Sequence, residues 1–255
     1  LKADEQNKQS LLTFGGAFSN HISAVAFAGK EFEFHTIGII RGDELGIDLD
    51  KTLEQNITLC LAHEHGMEFK FVSRSDYRFK HTPEFIEELK NEFGDFYLVP
   101  EGGTNELAVK GCEEILKPED DIFDVICCAI GTGGTISGII NSAKANQKVL
   151  GFPALKGDFL HHEIKKYIVE GKNWNLINDY HFGGFGKVSA ELITFINNFK
   201  DETGIPLDPI YTGKMMFGIT DMIKKGTIKK GTKILAIHTG GLQGIDGMNL
   251  SLIHI

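Results

Sequence analysis

The sequence predicts an α/β fold in which parallel sheets are covered by helices on both faces. Short apolar runs alternate with helical patterns along the chain, as expected for parallel strands joined by helical crossovers. No internal repeat or long linker interrupts this alternation. A chain of 255 residues with an apolar fraction of 42% is long enough for two modest domains.

The first part of the chain holds four predicted strands and three predicted helices. The strands cover residues 11–14, 35–40, 69–72 and 97–99. The first helix covers residues 19–29, a second single helix is marked by Leu49, Leu53, Ile57 and Leu61, and the third by Phe85, Ile86, Leu89 and Phe93. The turn-rich residues 100–103 predict a junction between one domain at 8–100 and a second at 101–249.

The second part of the chain continues the same alternation. Its predicted strands cover residues 125–130, 149–152 and 233–238. Its predicted helices cover residues 135–145, 159–170, 188–201 and 214–225. Both parts therefore favour parallel sheets rather than hairpins.

Composition and charge argue against several classes of protein. The net charge of −9 is wrong for a nucleic-acid-binding surface, which needs clustered basic residues. No apolar run approaches the roughly 20 residues of a membrane helix. The four cysteines lack the spacing of zinc ligands, and Cys127 and Cys128 lie in an apolar run where thiols act as small core residues. This cysteine usage fits a reducing, cytoplasmic setting.

A glycine- and threonine-rich loop between a predicted strand and helix has the character of a phosphate cradle. Its residues are Gly131, Thr132, Gly133, Gly134 and Thr135. Glycines let backbone N–H groups approach an anion, and the helix N-terminus adds a positive dipole. No Lys-Ser/Thr pair follows, so it is not a nucleotide P-loop, and Ile136 breaks a dinucleotide fingerprint. The loop suits a small terminal phosphate.

Two further loops of similar character follow other predicted strands. The first ends in Ser19, Asn20 and His21 at the start of a helix, and the other contains Thr239. Small residues make tight turns, and Ser and Asn are good N-caps, so a structural role is the default for each loop alone. Three such loops at strand ends favour convergence on one ligand. Tyr211, just ahead of a helix, is a packing residue unless these loops face it.

Taken in their order along the chain, these motifs resemble those of the fold type II enzymes that use pyridoxal phosphate (PLP), the tryptophan-synthase-β-like group. They are most similar to the D-cysteine desulfhydrase and 1-aminocyclopropane-1-carboxylate (ACC) deaminase family. The resemblance rests on residues 131–135, 19–21, 208–214 and 238–241, and covers the chain up to about Asn249. It implies a two-domain α/β fold, with a small domain at 8–100 and a large domain at 101–249 whose N-terminal part is missing.

The resemblance assigns a role to each of these residues. The loop 131–135 would hold the PLP phosphate, Asn20 would contact the cofactor ring, and Thr239 would face the pyridine nitrogen. Ser19 would hold the substrate carboxylate with the backbone N–H groups of its turn, which includes Asn20 and His21. Tyr211 would lie beside the Schiff base as a catalytic residue with Ser19.

Three positions bear on the reaction that the resemblance implies. Deaminases of the family carry a glutamate directly after the tyrosine, where it pairs with the pyridine nitrogen, and this sequence has Thr212. They also carry an apolar residue in place of Thr239. A carboxylate keeps the ring nitrogen protonated and the electron sink strong, whereas a hydroxyl does not. Phe185 replaces a tyrosine that many members have, which further weakens a deaminase assignment.

For the complete protein we expect elimination of a β-substituent from D-cysteine or a related small amino acid, giving pyruvate, ammonia and sulfide. ACC deamination to 2-oxobutyrate is the alternative within PLP chemistry. A nicotinamide dehydrogenase ranks below both because the dinucleotide fingerprint is broken. The resemblance also implies a homodimer.

The lysine that forms the Schiff base with PLP is not found in this sequence. In the family it lies upstream of the Ser-Asn motif, in a segment expected shortly before Leu1. Lys2 and Lys8 are too close to the first strand to match it, and Lys214 is a usual family residue at its position. We therefore expect an N-terminally truncated, inactive product, or a non-catalytic PLP-binding protein if the lysine is absent in the cell.

The last six residues, 250–255, are predicted to be a non-native tail. Their sequence, Leu-Ser-Leu-Ile-His-Ile, is what CTG TCT CTT ATA CAC ATC encodes, the end of a common transposon-based sequencing adaptor. Family members continue differently after Asn249.

Overall fold

The chain divides into two compact units in the computed structural model, which describes residues 2–245 and 247–248. The division falls between Gly103 and Thr104, at the end of the predicted junction. Each unit contains one four-stranded parallel sheet, so the predicted α/β class is confirmed. The predicted non-native tail, residues 250–255, lies outside the described residues.

The first unit is built on a parallel sheet of strand order β3-β2-β1-β4. Its strands are β1 (Ser10–Gly16), β2 (His35–Arg41), β3 (Met67–Val72) and β4 (Tyr97–Leu98). Its helices are α1 (Lys2–Glu5), α2 (Asn20–Glu31), α3 (Leu49–Gln55), α4 (Ile57–Glu64) and α5 (Pro83–Phe93).

Both faces of the first sheet are buried because successive side chains of a strand point to opposite sides. In β2, Ile37 and Ile39 pack with Leu89 of α5 in one core cluster. Ile40 packs on the other face with residues of α2 and α4, among them Leu59. This two-sided burial accounts for the nearly continuous apolar run of β2.

The single helix predicted from Leu49, Leu53, Ile57 and Leu61 is wrong. The structure has two helices, and the break is at Asn56, whose φ of −130° and ψ of 96° are extended. The Asn56 side chain accepts a hydrogen bond from the backbone N–H of Leu59 at 3.0 Å and so caps α4. The spacing was misleading because only Leu53 of these four residues packs in the core cluster, and Ile57 is exposed.

The second unit has a parallel sheet of strand order β7-β6-β5-β8. Its strands are β5 (Val125–Ile130), β6 (Lys148–Pro153), β7 (Trp174–Leu176) and β8 (Ile234–Ile237). Its helices are α6 (Glu106–Cys112), α7 (Gly134–Ser142), α8 (Phe159–Lys165), α9 (Ala190–Thr203) and α10 (Thr212–Lys224). The sequence patterns did not predict α1, α6 or β7.

Helices also cover both faces of the second sheet. Alternate residues of β5 enter different clusters: Cys128 packs with α7 and α8, and Cys127 packs with α10. Burial raises the pKa of both thiols to about 12, as expected for core residues. Helix α9 packs through Ile196 in a separate cluster that also includes Phe217 of α10.

Helix α8 is shorter than the predicted 159–170 because a side chain competes for its backbone. The amide of Asn141 donates to the carbonyl of Tyr167 at 3.0 Å and accepts from the N–H of Val169 at 2.8 Å. These bonds draw residues 167–169 away from helical pairing, so the helix ends at Lys165.

Among the described residues, no helix is long and apolar enough to cross a membrane.

Two buried threonines of the first unit are expected to respond in opposite ways to valine. The hydroxyl of Thr58 is buried without a hydrogen-bond partner among the described residues, so Thr58→Val should leave stability unchanged or raise it by about 1 kcal/mol. The hydroxyl of Thr13 bonds both the Val99 carbonyl and His21, so Thr13→Val should cost about 1–3 kcal/mol. Urea unfolding measures both free energies, and equal losses would contradict this assignment.

Candidate active site

The phosphate cradle lies at the carboxyl edge of the second sheet. Residues 131–135 follow β5 directly and lead into α7, and the loop containing Thr239 follows the neighbouring strand β8. Because parallel strands end at the same edge, the fold brings these two loops to one side of the sheet. Thr239 is exposed there, as a ligand-facing residue requires.

The first turn of α7 is left open to a ligand. Its N-cap is Gly133, with a left-handed φ of 100°, and no side chain caps the helix. The first N–H groups of a helix have no intrahelical partner, so they point out of the loop together with the positive end of the helix dipole. This is the geometry of an anion site.

Thr104 is a member of the cradle that the sequence interpretation missed. Its hydroxyl lies 2.6 Å from the hydroxyl of Thr132. A Cβ on Gly134 would lie 2.9 Å from the Thr104 hydroxyl oxygen, so any larger residue here would force the Thr104 side chain to move. Thr104 follows Gly102 and Gly103 shortly after a strand, and this glycine–hydroxyl pattern was the available signal.

Tyr211 lies beside the cradle, as a functional role requires. A Cβ on Gly131 would lie 3.4 Å from the edge of the Tyr211 ring and 3.5 Å from its hydroxyl oxygen. Burial, with a smaller contribution from the Asp208 carboxylate, raises the pKa of Tyr211 to about 12. The hydroxyl therefore keeps its proton at neutral pH.

A buried carboxylate organises the turn that presents Tyr211. The Oδ1 atom of Asp208 accepts from the N–H groups of Ile210 at 2.9 Å and Tyr211 at 2.7 Å. Its Oδ2 atom accepts from the N–H of Thr212 at 2.9 Å and from the Thr212 hydroxyl at 2.6 Å. The Thr212 hydroxyl also accepts from the N–H of Asp208 at 3.0 Å and is fully buried. Its one proton is thus committed to Asp208.

His238 fixes the loop that carries Thr239. One ring nitrogen, Nε2, lies 3.0 Å from the carbonyl of Pro206, and the other, Nδ1, accepts from the N–H of Gly240 at 3.1 Å. Because Nδ1 accepts, Nε2 carries the proton and donates to Pro206. The left-handed φ of 77° at Gly240 allows the turn that leaves Thr239 exposed.

Ser19 occupies the N-cap position of α2 but does not cap the helix. Its backbone is extended, and its side chain makes no capping hydrogen bond. The longer helices α4, α5 and α9 are capped by the side chains of Asn56, Thr82 and Ser189. The N-cap residues of α2, α7 and α10 make no side-chain capping bond, although Asp208 accepts from the first N–H of α10. Of these three helices, α2 and α7 follow the loops predicted to bind a carboxylate and a phosphate.

Asn20 and His21 form the first two positions of α2. The Thr13 hydroxyl donates to the Val99 carbonyl at 3.0 Å, so it must accept from His21 Nε2 at 2.7 Å. His21 therefore carries its proton on Nε2 and a lone pair on Nδ1. Burial lowers the pKa of His21 to about 4 against the opposing effect of Glu101, so the ring is neutral at physiological pH.

The two lysines nearest the start of the chain are engaged in ion pairs. Lys2 bonds Glu5 at 2.9 Å, and Lys8 bonds Asp95 at 2.5 Å.

Comparison with known proteins decides the family. Residues 1–240 match the family described as "Pyridoxal-phosphate dependent enzyme". The chain belongs to this family. The predicted resemblance and the predicted cofactor, PLP, are thereby confirmed, and the family binds small amino-acid substrates. The glycine-lined start of α7, with no side-chain cap, fits the phosphate of this cofactor, and a Cβ at position 134 would displace the Thr104 side chain from the loop.

Two relatives carry names from the narrower branch. A putative ACC deaminase of Pyrococcus abyssi is 31% identical over 259 residues, covering 92% of this chain and 75% of the relative. A bifunctional mitochondrial D-cysteine desulfhydrase/ACC deaminase of Arabidopsis thaliana is 30% identical over 270 residues, covering 96% of this chain and 66% of the relative.

Solved structures show the same fold. An ACC deaminase homologue superposes with a TM-score of 0.78 at 26% identity, covering 99% of this chain and 80% of that one. A hydrogen sulfide-producing enzyme from Fusobacterium nucleatum superposes with a TM-score of 0.62 at 20% identity, covering 95% of this chain and 83% of that one. The second likeness concerns the fold alone.

Gly134→Ala is expected to weaken PLP binding by at least about tenfold, equivalent to about 1.4 kcal/mol. The added Cβ would lie 2.9 Å from the Thr104 hydroxyl and displace the Thr104–Thr132 pair. Equilibrium titration with PLP measures the effect. Gly111→Ala is the matched control, because Gly111 lies in α6 with no atom within 4 Å of an added Cβ. Equal affinities in both variants would place the phosphate elsewhere.

His21 should make stability depend on pH. Its pKa is about 4 in the fold against 6.5 for the free side chain, so the unfolded chain binds more protons between these values. The contribution of His21 to the free energy of unfolding is therefore fully present above about pH 6.5. It falls toward pH 4, by at most about 1.4 kcal/mol per pH unit. His21→Gln keeps an N–H for Thr13 but does not titrate. Urea unfolding at several pH values should show a shallower decline for this variant, and identical slopes would refute the buried neutral ring.

Proposed function

We propose that the protein is a PLP-dependent carbon–sulfur lyase that acts on D-cysteine or a related small β-substituted amino acid. The observation that carries this proposal is the fully buried Thr212, whose hydroxyl donates a hydrogen bond to the Asp208 carboxylate at 2.6 Å. In the family that this chain resembles, deaminases carry a glutamate at this position, which pairs with the pyridine nitrogen. Here the position supplies neither a carboxylate nor a free donor.

The resemblance places the exposed hydroxyl of Thr239 at the ring nitrogen. When bound, PLP supplies an electron sink for the carbanion at the substrate Cα. A neutral hydroxyl does not keep the ring nitrogen protonated, which leaves this sink weaker than a carboxylate would. Expulsion of a thiolate needs less of the sink than opening of a cyclopropane ring, so Thr212 and Thr239 together favour β-elimination.

Ser19 and the start of α2 are proposed to hold the substrate carboxylate. The Ser19 side chain makes no capping bond to α2, and the positive end of the helix dipole lies at this turn, which supports binding of an anion there. This contact orients the substrate and its Cα–H bond. Asn20 and His21 complete this turn in the proposal.

Tyr211 is proposed to donate a hydrogen bond near the leaving group. Its pKa of about 12 keeps the phenol protonated at neutral pH, which suits a donor and not a base. Its hydroxyl makes no hydrogen bond within the described residues. D-cysteine and water would give pyruvate, ammonia and hydrogen sulfide, with the C–S bond broken and the sulfur leaving as thiolate before protonation.

ACC deamination to 2-oxobutyrate is the second candidate, since the relatives from Pyrococcus abyssi and Arabidopsis thaliana carry this activity in their names. The cytoplasmic location and the homodimer remain predictions.

The proposal is tested with protein expressed from its complete coding sequence and loaded with PLP. We expect sulfide and pyruvate from D-cysteine in equal amounts, and at least about tenfold less 2-oxobutyrate from ACC at equal substrate concentration, which corresponds to a difference of about 1.4 kcal/mol. Release of 2-oxobutyrate as the main product would instead establish the deaminase.

Tyr211→Phe is the matched variant for this assay. The phenylalanine keeps the ring beside Gly131 and removes only the hydroxyl. PLP affinity should be unchanged, while the elimination rate should fall about 10²-fold or more, the range for loss of a proton-transfer group. An unchanged rate would remove Tyr211 from the proposed mechanism, and product from neither substrate would sink the lyase assignment.

A further inference from the structure

Residues 181–187, the segment between β7 and α9, have an unusual backbone. Phe182, Gly183, Gly184 and Gly186 have φ values of 53°, 97°, 122° and 67°, all in the left-handed region. Helix or strand pairing does not hold such a segment. It consists of two successive turns, closed by bonds from the N–H of Gly184 to the His181 carbonyl at 3.0 Å and from the N–H of Lys187 to the Gly184 carbonyl at 3.2 Å.

Lys214 of α10 binds the same two carbonyl groups. Its ammonium nitrogen donates to the carbonyl of His181 at 2.9 Å and to that of Gly184 at 2.9 Å. One side chain thus bridges the closing groups of both turns. The ammonium thereby supplies hydrogen bonds to two backbone carbonyl groups that lie against α10.

A lysine in this position is costly and calls for a reason. Lys214 is 1% exposed, and burial lowers its pKa to about 8 although Asp208 acts in the opposite direction. None of the described carboxylates forms an ion pair with it. An apolar residue would avoid this cost but would leave both carbonyl groups with only their turn bonds.

The clamped segment places an aromatic ring against Tyr211. Phe185 follows Gly184 directly, and its ring packs edge-on against the Tyr211 ring at 6.1 Å and 64° although the side chain is 55% exposed. Tyr211 is the N-cap residue of the same helix that carries Lys214. On the other side of the turn, Phe182 packs edge-on against Phe217 of α10 at 5.1 Å. The ammonium therefore ties Phe185 to the helix that presents Tyr211.

We propose that Lys214 is a positioning residue, which clamps the two turns of residues 181–187 and thereby fixes Phe185 as an apolar wall beside Tyr211. Its nitrogen is committed to carbonyl oxygens and acts on no reacting atom. The fixed ring restricts the room beside the Tyr211 hydroxyl to a small substrate side chain. This last consequence rests on the proposed function, whereas the clamp itself does not.

Hydrogen exchange of the cofactor-free protein tests the clamp. In Lys214→Met, which keeps the length of the side chain and removes its donors, the amides of Gly184 and Lys187 should exchange about tenfold faster or more. Amides of β5 should be unchanged, which separates a local effect from a global one. The control is Lys224→Met, an exposed lysine at the end of the same helix. Unchanged exchange at Gly184 and Lys187 in folded Lys214→Met would overturn the proposal.

If Lys214→Met does not fold, Lys214→Gln gives the same comparison. The shorter, uncharged amide reaches at most one of the two carbonyl groups, so exchange should rise in at least one turn. Exchange equal to that of the unmodified protein in both turns would overturn the clamp.

A double-mutant cycle on the PLP-loaded protein tests the consequence. Lys214→Met and Phe185→Ala should each raise KM about tenfold for the substrate that is turned over, with a smaller effect on kcat. Because Lys214 acts through Phe185, the double variant should be no worse than either single variant. Additive effects on KM would show that the lysine does not act through this ring. Failure of D-cysteine as a substrate would leave the exchange result intact, so the two proposals are separable.

Discussion

The carboxylate of Asp208 is the interaction on which the functional face of the second unit depends. It accepts four hydrogen bonds from three consecutive residues, Ile210, Tyr211 and Thr212, and so starts α10 at a fixed point. That start places the Tyr211 ring beside Gly131 and, three residues on, directs Lys214 into the core. The same carboxylate accepts the one proton of the Thr212 hydroxyl. One buried carboxylate therefore fixes the position of Tyr211, the start of the helix that carries Lys214, and the direction of the Thr212 hydroxyl.

Within each unit, helices begin in contrasting ways. Where a helix has only a structural role, a side chain caps it, as Asn56 caps α4 and Ser189 caps α9. The N-cap residues of α2 and α7, Ser19 and Gly133, make no side-chain capping bond. Both helices follow loops predicted to bind an anion, and the positive end of a helix dipole suits that role.

Much of the fold was predictable because strands buried on both faces leave a strong apolar signal, as in Val125–Ile130. The break at Asn56 was not, since the apolar spacing runs through it and only the capping bond marks it. Strand β7 was not predicted because its three residues, Trp174–Leu176, are too few to show a periodic pattern. In the site, the glycine loops were visible in the sequence. Thr104 left only the weak signal of a hydroxyl after two glycines, since its contact with Thr132 is distant in sequence. The burial of Lys214 left none, because lysine is ordinarily exposed.

The phosphate cradle is built from residues without charge, and this bears on what it selects. Its glycines, Thr132, Thr135 and Thr104 offer N–H groups, hydroxyls and a helix dipole in a protein of net charge −9. A polyanion gains affinity mainly from clustered cations, which such a loop does not supply. A small terminal phosphate gains instead from donors held at fixed positions, and Thr104 sets those positions by filling the space beside Gly134. We therefore expect this loop to select its ligand by shape, and a methyl group on Gly134 to weaken that selection.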